Sequence, residues 1–395
     1  MLQMNTDYSS RPLLIGFAGA VAMAAAMGFG RFFYTPILPG MMSGIPLSAA
    51  DAGYIAAGNF AGYLAGAILS AYGWAAGRER RVALGGLLAT AILLAAMAAT
   101  TSVFAFTVIR FLAGIASAFA MIFTSSIVLP HAVGRDNVNA LHFGGVGAGI
   151  ALSSALVFGV NAIAGANSLG WAHGWRLNWL AGAAIVFAAL AAVAWLLPRP
   201  TFGTGSAVEP PLRWRLPIVL LTLSYGLFGF GYVITATFLV AIARMGSAGP
   251  VVEFLAWFLT GTAAAVSLIF WRPAVKRFGL AKAYIAALLV EAAGVLGSVM
   301  LPPTAGALGG GLLLGGTFMV ITAYGLQIGR ALSPESPRRA LASMTAAFGT
   351  GQIIGPLAAG WVAEGSGSFT LPTVLAAGVL AVCVLLALPL ARRQS

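Results

Sequence analysis

Charge is what this 395-residue sequence has least of: 8% of its residues are Asp, Glu, Lys or Arg, against 60% that are hydrophobic. A soluble chain needs about a quarter of its residues charged, so a water-facing surface is excluded and a bilayer is the natural solvent. Nine acidic residues and three histidines leave little material for acid–base or metal chemistry. The histidines are scattered (His131, His142, His173), and three of them with one cysteine do not make a metal centre. That cysteine, Cys383, cannot build an intrachain disulfide framework. No Walker A run occurs, so ATP coupling is not expected and no cofactor is implied. No nucleophile, base and orienter cluster supports an enzyme.

The charge that is present is basic, with 21 Lys+Arg and a net charge of +12. Its placement argues against a nucleic-acid partner. Arg78, Arg80, Arg81, Arg135, Arg199, Arg213, Arg215, Arg272, Lys276, Arg277, Lys282, Arg330, Arg338, Arg339, Arg392 and Arg393 fall in alternate short loops or near the C-terminus. Loops on the other side, such as Ile37–Ala50, carry almost none. This positive-inside pattern predicts an inner membrane with both termini in the cytoplasm, and the wealth of Ala and Gly suggests a bacterial source.

Twelve apolar segments of spanning length are expected, roughly Leu13–Pro36, Asp51–Trp74, Val82–Thr101, Val103–Leu129, Ala140–Gly165, Arg176–Leu197, Leu216–Ala241, Val251–Trp271, Ala281–Leu301, Ala305–Arg330, Arg339–Ala363 and Phe369–Ala391. The first could mimic a signal peptide, but it contains Arg31 and has a counterpart in the second half, so it is read as a retained helix. Pro198–Arg215, rich in Pro, Gly and Arg, reads as a cytoplasmic linker. It divides the chain into bundles at 1–197 and 216–395. The halves echo each other: Gly28-Phe29-Gly30-Arg31 pairs with Gly229-Phe230-Gly231-Tyr232, Asp51 with Glu253, and Phe143-Gly144 with Phe348-Gly349. Six plus six helices in parallel repeats is the layout of the major facilitator fold, with its site between the halves near the membrane midplane.

Specific runs sharpen this. Gly28-Phe29-Gly30-Arg31-Phe32-Phe33-Tyr34-Thr35-Pro36, Leu47-Ser48-Ala49-Ala50-Asp51-Ala52-Gly53 and Phe228-Gly229-Phe230-Gly231-Tyr232 resemble the YbfB/YjiJ-type branch of the major facilitator superfamily (MFS). The resemblance implies a transporter without naming its substrate. Arg110-Phe111-Leu112-Ala113-Gly114 resembles the superfamily's helix 4 motif with its buried arginine. The loop from Gly66 to Arg81 resembles the helix 2–3 gating motif, but Ser70 stands near the expected aspartate. Helix 5 lacks the Gly-Pro signature of antiporters, although Gly355-Pro356 occurs in helix 11.

Arg31 and Arg110 are the leading site candidates, because an arginine inside a span costs several kcal/mol unless it faces protein or water. Both are expected at similar depth, about 10 Å from the outer ends of their helices. Two fixed positive charges favour an anionic substrate; the plainer reading is that each bonds backbone carbonyls. Tyr34 lies near Arg31, Tyr232 with Thr235 approaches from helix 7, and Tyr324 with Gln327 from helix 10. Glu291 is the one carboxylate well inside a span and can carry a proton or serve as a bonded structural acid. His142 is the second proton candidate, because an unperturbed histidine side chain titrates near neutrality. Asp51 and Glu253 are expected to cap helices, Asp51 in a capping box with Ser48. Small-residue stripes (Gly58, Gly62, Gly66; Gly145, Gly149; Gly261, Ala265; Gly351, Gly355) are expected to form the smooth contact between halves.

The sequence is therefore read as an all-α integral membrane protein that moves a small organic solute by alternating access. An anion and proton coupling are favoured, and the chain is expected to act as a monomer. Multidrug or metabolite efflux stays open, disfavoured by the scarcity of central carboxylates. A non-transporting sensor is the remaining rival, disfavoured because no output domain is apparent.

Overall fold

The computed structural model describes residues 12–166, 171–198 and 209–391. Arg199 and most of the expected linker, the His173 side chain, Arg392 and Arg393 lie outside the described residues. Among the described residues twelve long helices follow one another. They are α1 (Pro12–Gly44), α2 (Ala49–Ser70), α3 (Glu79–Met97), α4 (Val103–Ala132), α5 (Asp136–Ala166), α6 (Trp171–Leu196), α7 (Leu216–Met245), α8 (Pro250–Phe278, with a break at Trp271), α9 (Leu280–Met300), α10 (Pro303–Leu332), α11 (Pro337–Ser366) and α12 (Thr370–Ala391). Eleven are long and apolar enough to cross a membrane. The exception, α11, packs between α2 and α7, so its polar Gln352 meets protein rather than lipid.

Packing repeats with the period that the sequence echoes suggest. Contacts of α1 with α5, α2 with α4, and α3 with α4 and α6 recur as α7 with α11, α8 with α10, and α9 with α10 and α12. The two six-helix bundles meet along α2 against α11 and α5 against α8. The glycine stripes behave differently from expectation. A side chain at Gly62 would run into the Phe111 carbonyl of α4, within the same bundle. Gly58 and Gly66 also face α4, Gly145 and Gly149 face α1, and Gly351 and Gly355 face α7. Only Gly261 and Ala265 of the expected set press on the other half, where Gly147 meets them. A small-residue spacing announces a close helix crossing but not which neighbour makes it.

Most polar links between the halves lie away from the arginine-bearing loops. There Thr35 Oγ1 donates to the Ala236 carbonyl at 2.7 Å, Ser154 Oγ to Phe254 O at 2.9 Å, and Ser48 Oγ to Glu364 at 2.7 Å. Ser48 and Asp51 form the expected capping box. Glu253 does not cap: its carboxylate takes both Nε (3.0 Å) and Nη2 (2.5 Å) of Arg244. At the basic end the bundles part around a cavity of about 600 Å³, bridged by the exposed pair Arg272–Asp136 at 3.7 Å.

Candidate functional site

The site begins with a break in α1. Pro12–Met23 is α-helical, Ala24–Phe29 widens into a π-helical turn, and regular helix resumes at Tyr34. The span expected from the sequence ends at Pro36, and a proline lacks the N–H that a helix interior needs. Here Pro36 falls in the first turn of the resumed segment, where that N–H has no helical partner. The helix therefore continues to Gly44, which moves Arg31 to about 20 Å from its end rather than 10 Å. Insertions of this kind are frequent at functional sites because they turn side chains and carbonyls out of register.

Arg110 of α4 uses what the break exposes. Its Nη1 donates to Gly30 O at 3.0 Å and its Nη2 to Arg31 O at 2.7 Å. Its guanidinium lies 5.5 Å from the Tyr34 ring centre, and Asn59 of α2 donates to its own carbonyl at 3.0 Å. The Tyr34 hydroxyl is spent on Ala52 O at 3.1 Å. Both side chains thus face their own bundle, so Tyr34 serves Arg110 and not Arg31.

Arg31 leaves the break in the other direction, across the seam. Its Nη2 donates to Gln352 Oε1 of α11 at 2.6 Å, a bond between residues 321 positions apart. The Gln352 amide in turn donates to the Tyr232 hydroxyl of α7. Rings surround the cation: Tyr63 at 4.2 Å, Phe60 at 4.9 Å and Phe32 at 5.4 Å. Tyr232 is stacked between Phe318 (5.9 Å, 4°) and Phe348 (5.7 Å, 8°), which fixes its hydroxyl against the amide. Arg31 is 5% exposed and its Nε–H has no acceptor. None of the ion pairs among the described residues involves Arg31 or Arg110.

The remaining candidates are dispersed. Thr235 lies on the next turn of α7 from Tyr232, buried, with its hydroxyl unpartnered. Tyr324 and Gln327 line the basic-end cavity with Arg272, Lys276 and Asn139, and Arg31 is not part of that lining. Met319, next to Phe318, lines the same cavity. Glu291 is fully buried in α9; one carboxylate oxygen accepts from the Thr317 hydroxyl of α10 and the other has no partner. His142 is buried between α4 and α1, bonded to Ser125 at 3.0 Å and pressed on Gly19. Gln352, the side chain that joins Arg31 to Tyr232, was missed. Its signal was faint: only two of the four glutamines, Gln327 and Gln352, stand between the terminal segments.

Over residues 23–388 the sequence matches the family described as "Uncharacterised MFS-type transporter YbfB". The chain belongs to that family of MFS transporters. This YbfB-type transporter is thus a multi-pass membrane protein of the major facilitator fold. No curated protein matches it. Solved structures resemble it in fold: a mutant of the nucleoside transporter NupG has a TM-score of 0.75 at 13% identity, covering 95% of this chain and 99% of that one. A bacterial homologue of the human lysosomal transporter Spinster, inward-facing and unoccupied, gives 0.73 at 14%, with 98% of each chain covered. The human organic anion transporter MFSD10 (TETRAN) gives 0.62 at 18%, covering 95% of this YbfB-type chain and 99% of its own.

Proposed function

We propose that this transporter carries a small organic anion by alternating access, with Arg31 as the seat for its charged group. One observation supports the reading above all: a guanidinium buried at the seam of the two bundles, met by rings and one neutral amide and, among the described residues, by no carboxylate. A buried charge left without a counter-ion costs several kcal/mol, and an anionic substrate relieves that cost during the cycle. Arg110 takes the positioning role, holding the broken backbone that aims Arg31. The cavity between the bundles gives a route from the basic end, where Tyr324, Gln327, Arg272 and Lys276 meet the solute first.

In this reading the bundles 1–197 and 216–395 rock about the seam, joined by 198–215. The basic end faces the cytoplasm of a bacterium, as the positive-inside rule requires. Proton coupling runs through Glu291: its partner Thr317 adjoins Phe318, which stacks on Tyr232, so a change at the acid reaches the seat through one turn of α10. The transporter works as a monomer, with one seat per chain.

The test is a thermal-shift titration of detergent-purified protein with benzoate, benzamide and benzylamine, which share a ring and differ in charge. Benzoate is expected to stabilise the wild type and to leave Arg31→Ala unmoved; a ligand at 100 times its dissociation constant contributes about 2.7 kcal/mol. Stabilisation of both proteins by benzylamine, with no effect of benzoate, would overturn the anion reading in favour of cation efflux.

A further inference from the structure

We propose that Gln352 is an internal stand-in for the substrate's carboxylate: it holds Arg31 until an anion displaces it, and its displacement unfastens α11 from α1. The inference rests on the anion reading above and deepens it.

Arg31 keeps one donor of its guanidinium edge unfilled beside one that is filled. The edge of a guanidinium formed by Nε and Nη2 offers two parallel N–H donors, a spacing that two carboxylate oxygens match. Gln352 supplies a single oxygen to Nη2, at 2.6 Å, and leaves the buried Nε–H without an acceptor. The same chain shows what that edge does when a carboxylate is available. Arg244 presents Nε and Nη2 to Glu253 at 3.0 and 2.5 Å, both donors satisfied. Gln352 is thus a half-fitting occupant of a seat that a carboxylate fits in full. A carboxylate also brings the negative charge that the amide lacks, so it answers the guanidinium's charge as well as its second donor. The amide cannot turn to compensate, since its NH₂ is committed to the Tyr232 hydroxyl and only its oxygen can face Arg31.

The position gives the exchange a consequence. Arg31 belongs to the first bundle, while Gln352 and Tyr232 belong to the second. An anion that takes Arg31 from Gln352 cuts a buried polar link between the bundles at the level of the break in α1. Arrival of the anion and release of the halves become one event.

The experiment titrates benzoate into the wild type, Gln352→Met, Gln352→Ala and Gln352→Glu, with Arg31→Ala alongside. Methionine keeps the length and bulk of the side chain without its oxygen, which guards against a variant that merely fails to fold. Gln352→Met is expected to bind benzoate about tenfold more tightly than the wild type, because the competitor is gone. Gln352→Glu is expected to melt higher without ligand and to lose its response to benzoate, its own carboxylate having taken the seat. Spin labels at Val133→Cys and Pro334→Cys, both exposed at the basic end, in a Cys383→Ala background, read the separation of the bundles. Gln352→Met without ligand is expected to shift that distance in the direction benzoate shifts it in the wild type. Equal or weaker benzoate binding by Gln352→Met, with wild-type binding intact and lost in Arg31→Ala, overturns displacement and leaves the anion reading standing. Benzoate binding by neither wild type nor Gln352→Met overturns both.

Discussion

Two arginines meet at the break in α1, both almost wholly buried, and the structure employs them in opposite ways. Arg110 is answered by backbone: two carbonyls of its own bundle take its two terminal nitrogens, and its Nε–H is unmatched like that of Arg31, so the two differ at their terminal nitrogens. Arg31 is answered by a side chain of the other bundle, through one oxygen. A carbonyl pair fixed in a helix break does not leave, whereas a side-chain amide does. The difference separates a strut from a seat, and it lies in what each guanidinium touches rather than in charge, depth or burial.

Substitutions can break or sharpen that contrast. Arg110→Ala orphans two buried carbonyls, and at about 1–3 kcal/mol for each such group it should cost several kcal/mol of stability; thermal melts and the yield of folded protein would show it. Arg31→Ala is expected to cost about 1 kcal/mol, one bond offset by removal of an uncompensated charge, yet to abolish uptake in proteoliposomes. Lysine swaps sharpen the distinction. A single ammonium keeps Arg31's charge but cannot reproduce Arg110's fork, so Arg31→Lys should retain weakened benzoate binding while Arg110→Lys melts well below the wild type. Glu291→Gln should leave solute exchange intact and remove accumulation driven by a proton gradient, measured as counterflow against uphill uptake. Tyr232→Phe keeps the stack with Phe318 and Phe348 and loses only the hydroxyl, so a stability loss of about 1 kcal/mol is expected, with benzoate affinity changed less than tenfold. Equal melting losses for Arg31→Ala and Arg110→Ala would erase the contrast.

The fold was legible because hydropathy and the alternation of basic loops are properties of whole segments, insensitive to any one contact. The seam helices α2, α5, α8 and α11 are those that the resemblance to the major facilitator fold implies. The site was legible only in part. Arg31 and Arg110 stood out because arginine is costly in a span, but their division of labour depends on a helix break that no residue pattern in Ala24–Phe29 announces. Pro36 looked like an end and is a beginning. Gln352 escaped because a single amide has no periodicity to betray it, and its partner is 321 residues away. The glycine stripes named close crossings correctly and assigned most of them to the wrong neighbour, since spacing along one helix says nothing of what lies opposite.

The break in α1 has a mechanical consequence. Below it, Pro12–Met23 leans on α4, α5 and α6 of its own bundle; above it, Tyr34–Gly44 divides its contacts between α6 and the facing α7. One helix is thus a two-part lever, its lower arm seated in one leaf and its upper arm clasping both. The fulcrum is the stretch that carries Arg31. A force applied there acts on both arms at once, and an irregular turn yields to it without giving up any of the regular helical bonds on either side.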